Sequence, residues 1–75
     1  MVTVKVVRRS SGDPVKGKKV ALGIDAIFSG GVTDRQWTDS NGEAHFDVKP
    51  NHGKVFVNGS TEYEGYLSGR IVVYI

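Results

Sequence analysis

Thr38-Asp39-Ser40-Asn41-Gly42-Glu43-Ala44-His45-Phe46-Asp47-Val48 is the stretch on which the reading of this 75-residue chain turns. Asp39 and Asn41 have side chains that bond nearby backbone, and Gly42 supplies the positive φ that a tight turn requires. From Glu43 onward, apolar and polar residues alternate with the period of a half-buried strand. Residues 32–38, which lead into the turn, carry the same alternation in a more polar form and place Trp37 near their end. Two alternating runs joined by an Asx-rich turn ending in Gly make a β-hairpin.

The pattern spreads outward from that hairpin. Towards the N-terminus, Val2, Val4 and Val6 alternate with Thr3, Lys5 and Val7, a β-branched strand that ends at the turn formers Ser10-Ser11-Gly12-Asp13-Pro14. Residues 20–28 send Val20, Leu22, Ile24, Ala26 and Phe28 to one face, and Ser29-Gly30-Gly31 interrupts them. Towards the C-terminus, Lys49-Pro50-Asn51-His52-Gly53 forms a second turn cluster before a short strand over residues 54–58. Residues 59–65 form a polar loop or short edge strand, and Leu67, Gly69, Ile71, Val73 and Ile75 share one face of a closing strand. No run of ten residues places apolar side chains at helical spacing. Five to seven short strands with no helix predict an all-β chain folded as a small antiparallel sandwich or an open barrel. Its core is expected from Val4, Val6, Val20, Leu22, Ile24, Phe28, Ala44, Phe46, Val48, Val55, Val57, Leu67, Ile71 and Val73.

Composition narrows the function classes. A chain of this length has room for one core, so residues 1–75 are a single domain. The absence of cysteine excludes disulfides, thiol nucleophiles and thiolate-bound metal. Apolar stretches such as Val20-Ala21-Leu22 and Ile71-Val72-Val73 fall far short of the roughly 18 residues of a membrane span. The alternating start Met1-Val2-Thr3-Val4-Lys5 lacks the features of a signal peptide. Charge is uneven: residues 1–20 hold six bases against Asp13, and residues 21–75 hold four bases against seven acids. The basic first hairpin makes nucleic-acid binding an alternative function. It carries none of the aromatic side chains that usually stack on bases, and lysines on a strand edge also discourage aggregation.

Two further segments bear on fold. Gly12-Asp13-Pro14-Val15-Lys16-Gly17-Lys18-Lys19-Val20-Ala21-Leu22, together with Thr38-Asp39-Ser40-Asn41-Gly42-Glu43-Ala44-His45-Phe46, resembles the carboxypeptidase regulatory-domain-like group and its transthyretin-like and Cna B-type neighbours. Those modules open a strand with G-x-P-V-x-G-x-x-V and build a hairpin on T-D-x-N-G-x-A-x-F. The resemblance spans about residues 2–75. It implies a small antiparallel Greek-key sandwich of about seven strands, immunoglobulin-like or transthyretin-like, an accessory, adhesive or spacer role, and a cell-surface or extracellular setting. The match to those families is partial. Lys5 matches the lysine of a Cna B-type isopeptide, but residues 66–75 offer no Asn or Asp to receive it. The closing Arg70-Ile71-Val72-Val73-Tyr74-Ile75 also lacks the Tyr-Arg-Gly-Ser ending of the hydrolase branch.

Candidate chemistry is sparse. His45 and His52 lie among Asp39, Glu43 and Asp47, but the spacing does not force convergence, so both read as exposed histidines and no metal or other cofactor is expected. A triad of Ser68, His45 and Asp47 would make a small hydrolase, the less favoured alternative, because nothing local activates the serine. Asp39-Ser40-Asn41-Gly42-Glu43 lacks the distal ligands of a calcium loop. Trp37, Tyr63 and Tyr66, with Arg35, are the expected binding residues, since amphipathic aromatics outside a core anchor sugars or protein partners. Ser60-Thr61-Glu62-Tyr63-Glu64-Gly65 is the expected recognition loop. The sequence thus reads as a non-enzymatic module for protein–protein or carbohydrate contact, or a spacer or assembly unit. The apolar ending Val73-Tyr74-Ile75 leaves a strand edge open to a partner or a second copy.

Overall fold

The computed structural model describes residues 1–25 and 31–75. They form eight strands and no helix: β1 (Val2–Val7), β2 (Lys19–Ile24), β3 (Gly31–Val32), β4 (Gln36–Trp37), β5 (Glu43–Phe46), β6 (Asn51–Val57), β7 (Ser60–Leu67) and β8 (Gly69–Tyr74). The strands make two sheets, a three-stranded one ordered β5-β1-β8 and a five-stranded one ordered β3-β2-β6-β7, with β4 also paired to β2. The chain is an all-β sandwich. It crosses between the sheets after β1, β4, β5 and β7, so no two neighbours in the three-stranded sheet are consecutive in the chain.

Alternation decides which side chains lie between the sheets. Val2, Val4 and Val6 from β1, Val20 and Leu22 from β2, Ala44 and Phe46 from β5, and Val55 and Val57 from β6 are buried together. Leu67, Ile71 and Val73 complete the layer, and Val15 joins it from the β1–β2 connection. Ile24 and Val48 pack against this core partly buried, and Val2 belongs to it although the sequence reading omits it. Ala26 and Phe28 lie outside the described residues. With so few large side chains, the fold rests on β-branched residues that already prefer extended backbone.

Several strand boundaries differ from the sequence reading. Asn51, His52 and Gly53 belong to β6, so the turn after β5 is confined to residues 47–50. Residues 60–65 are the body of β7, an eight-residue strand held along β6, because Asn58 and Gly59 alone make the turn between them. Asn58 adopts the left-handed φ of 51° that asparagine tolerates. The closing run divides at Ser68: Leu67 ends β7 in one sheet, and β8 begins at Gly69 in the other.

The expected single strand over residues 32–38 is two short ones, β3 and β4. The interruption has a local cause: Thr33 turns its hydroxyl onto the Leu22 N–H at 2.9 Å while its own N–H donates to the Leu22 carbonyl at 2.8 Å. One residue occupies both backbone groups of Leu22, and the ladder resumes only at Gln36.

One pairing also departs from the antiparallel expectation: β8 runs parallel to β1, with Val4 opposite Ile71 and Val6 opposite Val73. All other strand pairs are antiparallel. Period-two patterning fixes which face a side chain takes but carries no information about the direction of the neighbouring strand.

Candidate binding face

The turn at residues 39–42 anchors one end of the sandwich. Asp39 Oδ1 accepts the backbone N–H of Asn41 at 2.8 Å and of Glu43 at 3.0 Å. The Glu43 bond is the main reason the Asp39 carboxyl titrates below the ordinary aspartate range; the Asn41 bond and the nearby His45 act in the same direction, against a smaller opposing effect of desolvation. Gly42 combines a φ of +75° with close approach to the β1–β2 connection. A Cβ there would meet the Val6 carbonyl oxygen at 2.7 Å and Pro14 at 2.9 Å.

Thr38, which opens the motif, is buried at 4% exposure. Its hydroxyl donates to the Val15 carbonyl at 2.6 Å and accepts the Lys18 N–H at 2.8 Å. Its backbone N–H donates to the Lys18 carbonyl, and its carbonyl accepts the Gly17 N–H. Thr38 therefore ties the start of β2 to the end of β4 and fixes where Trp37 stands. The sequence reading assigned it no role, although its place at the head of the T-D-x-N-G motif is a signal.

The outer face of the three-stranded sheet is polar apart from Val72 and Tyr74 on β8. Thr3 pairs with His45 and with Arg70, and Lys5 pairs with Glu43. Thr3 Oγ1 lies 2.9 Å from His45 Nδ1. His45 Nε2 lies 3.9 Å from Glu43 Oε1 and 4.0 Å from Asp39 Oδ2, and Arg70 Nη1 lies 3.8 Å from Glu43 Oε2. The turn is not that of the expected hairpin, because β4 pairs with β2 in one sheet and β5 with β1 in the other; it brings Asp39, Glu43 and His45 together, with one ligand atom from each within 4.8 Å of the others. This convergence was not expected from their spacing. Each group already has an occupation: Asp39 holds the turn, His45 faces Thr3, and Glu43 has the Arg70 cation beside it, which opposes a second cation. The trio is a polar cluster at the surface that lies against Thr3 of β1 and Arg70 of β8.

The outer face of the five-stranded sheet is different in kind. Trp37 stands directly across from Lys19, and Phe56 directly across from Ala21. Phe56 lies over Gly23, where a Cβ would come within 2.9 Å of its ring. Lys19, Ala21 and Phe56 line an open cavity of about 310 Å³ together with Val32, Thr33, Arg35 and Gly59. The floor is apolar, and Lys19 and Arg35 bring positive charge to its rim. Trp37, the only tryptophan in the chain, is 64% exposed, an uncommon state for so large an apolar side chain.

The four expected binding residues do not form one patch. Arg35 and Trp37 lie together at the cavity end of this face. Tyr66 is exposed on the same sheet, opposite His52, whose ring meets it edge-on with centroids 5.2 Å apart. Six residues of strand separate the level of His52 from that of Asn58, which places Tyr66 roughly 20 Å from Trp37. Tyr63 pairs with the buried Val55 and packs inward against the core, with its hydroxyl reaching the Tyr66 carbonyl at 3.4 Å. Lys19, Ala21 and Phe56 are the members that sequence reasoning missed, because the cavity depends on which strands lie side by side. Among the described residues no helix is long and apolar enough to cross a membrane. Comparison of the chain with protein-family models, with curated proteins and with solved structures finds no match.

Proposed function

We propose that this chain is a non-enzymatic binding module whose recognition surface is the cavity end of the five-stranded sheet. The observation that carries the reading is the exposed Trp37 beside an apolar hollow with Lys19 and Arg35 on its rim. An aromatic plate next to fixed cations suits a ligand with a flat apolar body and a negative group, either a protein side chain near a carboxylate or an acidic sugar. The turn motifs shared with carboxypeptidase regulatory-domain-like modules support the same reading, as do the packed core and the self-paired polar groups of the opposite sheet.

As the sole tryptophan, Trp37 is also the reporter. Titration with uronic-acid oligosaccharides and with acidic peptides containing an aromatic residue should shift or quench its emission for one of the two. The response should disappear in Arg35→Ala and Phe56→Ala and persist in Tyr66→Ala. A ligand-induced shift that survives Arg35→Ala and Phe56→Ala, or one abolished by Tyr66→Ala alone, would move the site off this face.

A further inference from the structure

Among the described residues the sandwich has four strand edges, and three of them are blunted. β3 and β4 are two residues each. β5 has four residues, with Glu43 and His45 directed outward. β7 is long, but its ladder with β6 shifts register between Val55 and Phe56, and it carries Glu62 and Glu64. Short length, outward charge and bulges are the features that prevent edge-to-edge pairing. The fourth edge, β8, is neither short nor bulged: it has six residues in unbroken register with β1, no proline or lysine, and one outward charge, Arg70. Among the described residues no strand lies on its other side.

The backbone of β8 is set for a partner. Ile75 donates its N–H to the Val7 carbonyl and accepts the Arg9 N–H on its own, so its polar groups face the β1 side. In a parallel ladder these groups alternate, which turns those of Ile71 and Val73 to β1 and those of Arg70, Val72 and Tyr74 outward. The one contact recorded on these outward groups is a long one, Arg9 Nη2 to the Tyr74 carbonyl at 3.4 Å. The side chains of Arg70, Val72 and Tyr74 are exposed, and those of Ile71 and Val73 are buried.

We infer that β8 pairs antiparallel with β8 of a second copy of this chain, about a two-fold axis at Val72. The strand is complementary to itself in that register. Val72 meets Val72, and Arg70 meets Tyr74 on both sides of the axis, so the single cation faces an aromatic ring rather than its own copy. All three opposed pairs use outward backbone groups, which allows six hydrogen bonds. Ile71 and Val73 stay on the buried side, and the two three-stranded sheets become one of six strands. Like charges directly opposite destabilise a pair, so the placement of Arg70 selects a second copy in this register. This surface is separate from the cavity of the other sheet, and its test is independent of any ligand there.

Sedimentation of the full chain over a wide concentration range should show the 8.1 kDa monomer giving way to a species of twice that mass. Val72→Lys should stay monomeric at concentrations at least ten-fold above the wild-type midpoint, with an unchanged circular dichroism spectrum, because residue 72 is exposed and its N–H makes no bond to β1. Val72→Glu should behave likewise. An equimolar mixture of the Val72→Lys and Val72→Glu variants should recover the doubled mass, since only pairing about residue 72 sets the two charges face to face. A wild-type chain that stays monomeric throughout overturns the proposal. So does a Val72→Lys variant that still dimerises, or a mixture that fails to recover the dimer.

Discussion

The two sheets of this small sandwich present opposite kinds of surface to solvent. On the three-stranded sheet, Thr3, His45, Glu43, Arg70 and Asp39 answer one another, so polar groups are spent within the molecule. On the five-stranded sheet, Trp37, Phe56, Ala21 and Val32 leave apolar area uncovered, and Lys19 and Arg35 stand beside it without a carboxylate partner among the described ion pairs. In a chain with one small core, apolar surface left outside that core is a cost unless a ligand covers it. The comparison is the ground for proposing ligand recognition on the five-stranded sheet; on the other, the polar network around the 39–42 turn leaves only Val72 and Tyr74 of β8 as exposed large apolar side chains among the described residues.

The most severe way to break the comparison is to remove what both faces share. Leu22 is fully buried between the sheets, and its backbone also holds Thr33. Leu22→Ala should cost about 2–5 kcal/mol. In a 75-residue domain that is a large share of total stability, and a lowered midpoint in urea unfolding is the check. Next in size is the tie that places the binding face. Thr38→Val keeps the shape but strands the Lys18 N–H and the Val15 carbonyl. A loss of about 1–3 kcal/mol should follow, together with a shift in Trp37 emission that a variant on the opposite sheet, such as Lys5→Ala, would not give.

The turn at residues 39–42 adds a pH dependence. Because the Asp39 carboxyl titrates below its ordinary value when folded, its contribution is complete above the unfolded aspartate range and is lost as pH falls through the folded value. The wild-type chain should therefore lose stability on acidification below the ordinary aspartate range, and Asp39→Ala should be less stable at neutral pH with a flatter acid limb. Smallest in stability is Trp37→Ala. At 64% exposure it should change the unfolding free energy by no more than about 0.5 kcal/mol. Its effect should fall on ligand binding, followed by calorimetry because the fluorescent reporter is gone. A large loss of stability would show that Trp37 serves packing instead.

How far the residues reveal the fold varies along the chain. The turn at residues 39–42 is legible because its causes are local: Asp39 bonds residues two and four positions on, and Gly42 needs a conformation that other residues resist; that its two flanks enter different sheets is not legible. β1 is legible through its alternating valines. The polar composition of Ser60, Thr61, Glu62 and Glu64 reads as a loop or a short edge strand; only the ladder to β6 makes it an eight-residue strand. Of the site, Trp37 and Arg35 can be picked out as an aromatic and a cation on a polar strand. Phe56 cannot, because its alternation with Val55 and Val57 does not show which neighbour its ring will cover.

The sequence alone settled the class of fold, the buried side of β1, β2, β5, β6 and β8 and the turn at residues 39–42, because those follow from period, propensity and side chains that bond backbone a few residues away. Tertiary structure alone decided three other things: the parallel direction of β8 against β1, the placing of β4 and β5 in different sheets, and the hollow between Ala21, Phe56 and Arg35. Each depends on which strands lie side by side, and alternation along one strand is the same whatever strand lies next to it.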